Sequence, residues 1–273
     1  MADTLPFNES GGRRLEGISH FFLTDPDPEG IPSSHPTHSE SNGKNIDKTA
    51  SIHTHAPVYA IVSPEGVTQE GTLLGCLLAR AMATADISVG LVETTTRLPY
   101  TFFLSGGYKN INAVYWETDP RLPDFLDLVA RMRSGCELVL LNMVSTVLPG
   151  INGLGTLVRR YLVPTVVHPD ALLNAYATIK KIVTHGKDES IDFIVFNNQL
   201  ADNVAGAAVI LEEMTRRFLS CTTRLAGAIP LAANNATVVG DCLSTAFLQR
   251  MPENATAAAR EIACNLMQSD GLR

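Results

Sequence analysis

The sequence has few of the features that would place a protein in a membrane or in an oxidising compartment. No apolar run reaches the roughly 18 residues that a membrane-spanning helix needs. The five cysteines are scattered and form no CxxC pair or metal-ligand spacing, which indicates buried thiols and no metal site. The first ten residues, MADTLPFNES, contain neither the basic nor the apolar region of a secretory signal. We therefore expect a cytoplasmic protein with no direct insertion into a membrane.

Positive charge is also in short supply. The chain has 21 Lys and Arg against 28 Asp and Glu, a formal net charge of −7, which argues against a nucleic-acid binder because such proteins depend on basic surfaces. Hydrophobic residues make up 45% of the 273 positions, enough for a large buried core. The length suits one α/β domain with a tail.

The first 56 residues differ in composition from the rest. They are rich in Pro, Ser, His and Asp and lack helical or strand periodicity, which predicts a disordered tail over 1–56 ahead of an α/β domain over 57–273. One apolar island, Arg13–Pro26, interrupts this tail. We expect it to dock either on a protein partner or on the body of the chain, and the sequence leaves both open. Its candidate contact residues are Leu15, Ile18, Phe21, Phe22 and Leu23.

From residue 57 onward, short apolar runs alternate with segments of helical periodicity. The runs predict seven buried strands, over 57–63, 87–94, 111–117, 136–144, 162–168, 190–198 and 224–231. The periodic segments predict helices over 72–84, 122–134, 170–185, 203–220 and 254–268. Continuous apolar strands separated by helices predict an α/β fold, a mostly parallel doubly wound sheet with helices on both faces. Ligands of such folds bind at the carboxyl ends of the strands.

The segment after the first strand, SPEGVTQEGT, has the frame of a phosphate-binding loop without its charge. It contains glycines and precedes an Ala/Leu-rich helix, yet no Lys or Arg occurs between Lys48 and Arg80. Two carboxylates, Glu65 and Glu70, would each repel a phosphate by about 1–4 kcal/mol at about 4 Å. The match of this loop to a phosphate-binding motif is therefore weak.

The chain nevertheless resembles the MinD/ParA-type P-loop ATPases, and most closely their flagellar-number branch FlhG/FleN. The resemblance covers roughly residues 57–268. It is carried by NAYATIK at 174–180, FIVFNN at 193–198, the helix, linker and strand at 214–231, and the last helix at 251–266. It implies the P-loop NTPase fold.

The resemblance also assigns the positions of a degenerate nucleotide site. Gln69 falls on the family's phosphate-binding lysine and Glu70 on its Mg²⁺-binding hydroxyl, so the Walker A motif is degenerate. Glu93 falls on the first aspartate of the family's V-D-x-D strand end, Asn142 on the Walker B aspartate and Asn197 on the asparagine that reads adenine. The full set of positions is Gly66, Gln69, Glu70, Gly71, Thr72, Glu93, Asn142 and Asn197.

These substitutions predict a regulator rather than an enzyme. We expect no catalytic residue, no cofactor and no tight binding of ATP or Mg²⁺, and a scaffold that works through protein contacts, in placing flagella or another cell-surface machine. Phe102 and Phe103, in the loop 96–110, are further candidate contacts or core residues. Homodimerisation, where it occurs, would not be controlled by nucleotide. The alternatives are a nucleotide-binding switch without normal turnover and an accessory protein of polysaccharide or cellulose secretion.

Overall fold

The structure, a computed structural model, describes residues 55–95, 109–117, 119–120, 123–185, 190–197, 202–231 and 253–272. All of these belong to one compact unit, His55–Arg273. The apolar island Arg13–Pro26 and the pair Phe102 and Phe103 lie outside the described residues. The predicted division into a tail and a domain therefore remains a prediction.

A sheet of seven strands forms the centre of the described unit, which confirms the predicted fold class. In chain order the strands are β1 (Val58–Ser63), β2 (Val89–Glu93), β3 (Ile111–Tyr115), β4 (Leu138–Val144), β5 (Val158–Val166), β6 (Ser190–Asn197) and β7 (Thr223–Pro230). Their spatial order is β3-β2-β4-β1-β5-β6-β7. Every neighbouring pair is parallel. All seven carboxyl ends therefore lie at the same edge of the sheet.

Helices connect the strands. They are α1 (Thr68–Thr84), α2 (Pro123–Gly135), the single turn α3 (Leu154–Leu157), α4 (Pro169–His185), α5 (Asp202–Leu219) and α6 (Glu253–Ser269). A short 3₁₀ turn, Leu148–Gly150, follows β4. Since parallel strands cannot be joined by tight hairpins, each crossover needs a connection of about a dozen residues or more.

The two faces of the sheet bury separate cores. In β1, Tyr59 and Ile61 point toward a core built with α1 and α6, whereas Val58, Ala60 and Val62 point toward a core with α2, α4 and α5. This alternation follows from the two-residue period of a strand. Because both faces are covered, all six residues of β1 are buried, which explains why the strand is a continuous apolar run.

Two elements begin four residues earlier than the sequence predicts. The first helix begins at Thr68 instead of residue 72, so Gln69, Glu70 and Gly71 are helical residues and not loop residues. Strand β5 begins at Val158 instead of residue 162, and its start contains Arg160, which is only 5% exposed. A buried arginine interrupts the apolar pattern on which the prediction relied, and the structure compensates its charge with Asp192 and Asp270.

Candidate functional site

The loop between β1 and α1 is a single tight turn. The amide of Val67 donates to the carbonyl of Pro64 at 3.1 Å, and Gly66 has a φ of +81°. Few residues other than glycine adopt this left-handed conformation without strain. Asn174 of α4 donates its side-chain amide to the carbonyl of Glu65 at 3.1 Å. The turn is therefore fixed by its own backbone and by a neighbouring helix.

The first turn of α1 follows at once and carries no basic side chain. Residues 68–71 are Thr, Gln, Glu and Gly, and the amide of Gly71 donates to the carbonyl of Val67 at 3.2 Å. Val67 at the N-cap makes no side-chain capping bond. Burial raises the pKa of the Glu70 carboxyl above its ordinary value. A partly buried carboxyl group thus lies at the helix end where an anionic ligand would have to bind.

Gly71 closes the space between the helix and the sheet. A Cβ atom at this position would overlap Ser63 Oγ and lie 3.3 Å from Asn142 Oδ1. Both oxygens are buried, and neither has a hydrogen-bond partner among the described residues. The space against the start of α1 is therefore filled by two oxygen atoms of the protein.

The central feature of the site is a buried polar cluster at the carboxyl ends of β2 and β4, which we call the amide–carboxylate cluster. It consists of Thr72, Glu93, Thr95 and Asn142. Glu93 and Asn142 are register partners on the adjacent strands, so their side chains lie side by side. The Nδ2 atom of Asn142 donates to Glu93 Oε2 at 2.8 Å and to Oε1 at 3.0 Å.

Two hydroxyl groups complete this cluster. Asn142 Nδ2 lies 3.2 Å from Thr72 Oγ1 and 3.4 Å from Thr95 Oγ1, and the two hydroxyl oxygens are 3.0 Å apart. Thr95 also donates its backbone amide to Glu93 Oε1 at 2.8 Å, and its hydroxyl donates to the same oxygen. The cluster therefore joins the first helix to the ends of two strands.

Burial controls the electrostatics of this cluster. Glu93 is 2% exposed, Thr72 1% and Asn142 fully buried. Burial raises the pKa of Glu93 above its usual range, although the hydrogen bonds from Asn142, Thr95 and Thr72 act in the opposite direction. Both carboxylate oxygens of Glu93 are therefore already occupied by protein donors.

The described residues do not fit a magnesium–triphosphate group. Such a site needs a cation close to the phosphates and hard oxygen ligands for Mg²⁺. Here Gln69 and Glu70 supply no positive charge, Glu93 is enclosed by donors, and Asn142 turns its amide nitrogen toward the carboxylate. In the described part of the chain, no group of three or more His, Cys, Asp or Glu side chains is placed to hold a metal ion.

The predicted site residues divide into two groups. Gly66, Gln69, Glu70, Gly71, Thr72, Glu93 and Asn142 come together where β1, α1, β2 and β4 meet. Asn197 lies at the carboxyl end of β6, which β5 separates from β1, and its carbonyl accepts the amide of Leu231 at 2.8 Å. Asn197 is thus at the same edge of the sheet but outside the amide–carboxylate cluster.

The sequence prediction missed two members of the site, Ser63 and Thr95. Each follows or ends an apolar strand, and this position is the signal that could have identified them. It also missed a second polar network at the opposite edge, where Arg160 contacts Asp192, Asp270 and Ser269. No helix within the described ranges is long and apolar enough to cross a membrane.

Comparisons with known proteins identify the fold. No protein-family model and no curated protein matches the chain. Among solved structures, the MinD cell division protein of Aquifex aeolicus matches with a TM-score of 0.58 at 16% identity, over 78% of this chain and 98% of that chain. A ParA family ATPase of Chlorobium tepidum gives 0.55 at 11% identity, over 77% and 98%. The chain has the fold of MinD and ParA.

Two further matching structures have names that state an activity or a partner of their own proteins. The cell division ATPase MinD of Pyrococcus furiosus gives a TM-score of 0.54 at 13% identity, over 78% of this chain and 99% of that chain. A MinC:MinD complex of Aquifex aeolicus gives 0.54 at 14% identity, over 78% and 96%. The prediction that the chain is not an enzyme is wrong by this comparison, since the proteins of the same fold are ATPases. ATP hydrolysis is therefore an activity to be tested.

Proposed function

We propose that the chain is a regulatory protein of the MinD/ParA-like fold that acts through contacts with protein partners. The observation that carries the proposal is the amide–carboxylate cluster, in which the side chains of Asn142, Glu93, Thr72 and Thr95 are hydrogen-bonded to one another. A strand edge held together by the chain's own side chains gives a rigid platform without a bound ligand. Such a platform suits a protein whose effect depends on a fixed surface.

The segment that leaves this platform is the first candidate contact surface. Thr94 donates both its amide, at 3.0 Å, and its hydroxyl, at 2.9 Å, to the carbonyl of Asn142. At the far end of the same connection, the amide of Val89 donates to the carbonyl of Asn110 at 2.8 Å. The described residues on either side of the segment with Phe102 and Phe103, Thr94 and Asn110, are thus hydrogen-bonded to the sheet. The apolar island Arg13–Pro26 is the second candidate surface.

The fold supports a more specific setting for this role. One structural neighbour was solved as a complex of MinD with MinC, so a protein of this fold binds a protein partner. Together with the resemblance to FlhG/FleN, this favours a cytoplasmic regulator of flagella or of another cell-surface machine. The alternative is an accessory protein of polysaccharide or cellulose secretion. A homodimer of this chain would form without control by nucleotide.

A pull-down from the native host with the tagged full-length chain tests this proposal. Two variants remove the candidate surfaces, Phe21→Ala with Phe22→Ala in the island and Phe102→Ala with Phe103→Ala in the loop. Phe7→Ala is the matched control in the tail. We expect at least one double variant to lose a partner that the wild type and the control retain. The same set of bound proteins for all four chains would contradict the proposal.

ATP hydrolysis is the second function, favoured by the ATPases among the structural neighbours. Residues 64–71 include no Lys or Arg, so the charge on a transferred phosphate would have to be neutralised from outside this loop. Phosphate release by the full-length chain, with Gln69→Ala and Asn142→Ala as site variants, tests this function. Asn265→Ala, exposed on α6, is the control. Turnover that both site variants abolish, and the control retains, would replace the first proposal with this one.

A further inference from the structure

The nitrogen of the Asn142 side chain has an unusual number of oxygen neighbours. Four oxygens from three residues lie within 3.4 Å of it: both carboxylate oxygens of Glu93 and the hydroxyls of Thr72 and Thr95. An amide –NH₂ group has only two hydrogens to donate. One carboxylate and two hydroxyls around a single centre is the kind of donor set that more commonly surrounds a cation.

We propose that the amide of Asn142 takes the place of a bound cation at this end of the sheet. It holds α1, β2 and β4 together through Thr72, Glu93 and Thr95, in place of a divalent metal. The inference concerns how the site is held together, and it does not depend on the proposed regulatory role.

The charges around Glu93 support this assignment. Its hydrogen-bond partners, the amide of Asn142, the amide and hydroxyl of Thr95 and the hydroxyl of Thr72, are all neutral donors. A buried carboxylate is tolerated only where donors or an opposite charge compensate its lost hydration. If residue 142 were an acid, two carboxyl groups would lie about 3 Å apart with no positive charge among the described hydrogen-bond partners of Glu93, and one of them would have to be protonated or bind a cation.

The position of Asn142 also explains how the last residue of β2 and the two residues after it are held. The side chain of Asn142 contacts Glu93 and Thr95, while its carbonyl accepts both the amide and the hydroxyl of Thr94. One residue therefore fixes three consecutive positions at the exit of β2. The direction in which the chain leaves the sheet is set by protein atoms, and a metal ion is not required for it.

A charge exchange within the cluster tests this inference. The variants of the full-length chain are Asn142→Asp, Glu93→Gln and the double exchange, with Asn265→Asp on the exposed face of α6 as control. Melting temperatures are measured at about pH 8, well above the ordinary carboxyl pKa, in EDTA and in millimolar Mg²⁺ or Mn²⁺.

We expect the wild type and Asn265→Asp to melt at the same temperature with and without metal. Asn142→Asp should melt several degrees lower in EDTA and recover when Mg²⁺ or Mn²⁺ is added. The double exchange restores one amide and one carboxylate, so it should melt above Asn142→Asp in EDTA and be insensitive to metal.

Three results would overturn the inference: stabilisation of the wild type by divalent metal, an Asn142→Asp variant as stable as the wild type in EDTA, or no recovery in the double exchange. Should Asn142→Asp be insoluble, the double exchange decides. A soluble double variant supports the inference and an insoluble one overturns it.

Discussion

At the scale of single residues, the site depends on a small number of close contacts. Gly71 is where the first helix approaches the sheet most closely, because Ser63 Oγ and Asn142 Oδ1 fill the space that a side chain would need. Its role is therefore steric, in contrast to Gly66, whose positive φ is a requirement of the backbone.

Replacing Gly71 by alanine should destabilise the fold. The new methyl group would displace Ser63 or the start of α1, which we expect to cost about 1–3 kcal/mol of unfolding free energy. The measurement is urea unfolding of the purified chain. Gly135→Ala, at a helix position with nothing within 4 Å, is the control and should cost nothing. Adding Ser63→Ala should recover part of the loss. A Gly71→Ala variant as stable as the wild type would show that the space is open.

Glu93 should make the stability of the protein depend on pH. Because burial raises its pKa in the folded state, the folded chain binds this proton more tightly than the unfolded chain does. The stability that Glu93 contributes is therefore fully present below the unfolded carboxyl pKa of about 4.3 and is lost as pH rises through the folded pKa, by at most about 1.4 kcal/mol per pH unit.

Glu93→Gln removes this titration, so its stability relative to the wild type should improve as pH rises from acid to neutral. Urea unfolding across that range, for the wild type and the variant, measures the difference. Glu261→Gln, exposed on α6, shows the effect of removing a surface carboxylate. If the difference in unfolding free energy between Glu93→Gln and the wild type stays constant with pH, the raised pKa of Glu93 in the folded state is contradicted.

The residues of the site could be located from the sequence, but their contacts could not. Glu93 and Asn142 end apolar runs, and parallel strands bring such ends to one edge. The contacts depend on the register of β2 against β4. This register brings the side-chain nitrogen of Asn142 to Glu93 and lets Thr95 complete the cluster. Strands that are buried on both faces are continuous apolar runs, so their residue pattern does not indicate the register.

At the scale of elements, a second network fastens the last helix to the sheet. Asp270, just beyond α6, accepts from the Tyr59 hydroxyl at 2.5 Å and from Arg160 Nη2 at 2.7 Å. Arg160 also contacts Asp192, which lies at the start of β6 and accepts from Arg224 Nε at 3.0 Å. These bonds lie at the amino ends of the strands, opposite the amide–carboxylate cluster.

Asp270→Asn should loosen this attachment of α6. The change weakens two hydrogen bonds to a buried charged group, each worth about 1.5–3 kcal/mol, although Asp192 still neutralises Arg160. Urea unfolding should show a loss of unfolding free energy equal to at least one such bond. Limited proteolysis should cut α6 sooner than in the wild type. Glu213→Gln, which removes the exposed pair with Arg216, should behave as the wild type. Equal stability of both variants would mean that Asp270 is dispensable.

Element boundaries show where sequence patterns are informative and where they are not. The apolar strands and periodic helices were found because burial on both faces of the sheet leaves a strong pattern. The start of β5 was missed because Arg160 is charged and yet buried. The start of α1 was missed because the polar stretch TQEG has no apolar periodicity, although residues 68–71 are helical.

At the scale of the whole molecule, the alternation of strands and helices was sufficient for the fold class. The strand order does not follow from that alternation, since periodicity does not indicate which strands are neighbours. The structure shows β1 between β4 and β5, which places the loop before α1 at the centre of the carboxyl edge. In this loop the side chains differ from what the fold would suggest. Proteins of the same fold include ATPases, whereas the side chains of this loop are neutral or acidic.

The carboxyl edge of the sheet at β2 and β4 is held together by the chain's own side chains. Amide hydrogen exchange at Thr95 measures this directly, because its amide donates to Glu93 within the cluster. We predict that the Thr95 amide of the full-length chain is protected in EDTA, and that adding Mg²⁺ with ATP leaves its exchange rate unchanged. Rapid exchange of Thr95 in EDTA that becomes slow with Mg²⁺ and ATP would contradict the account.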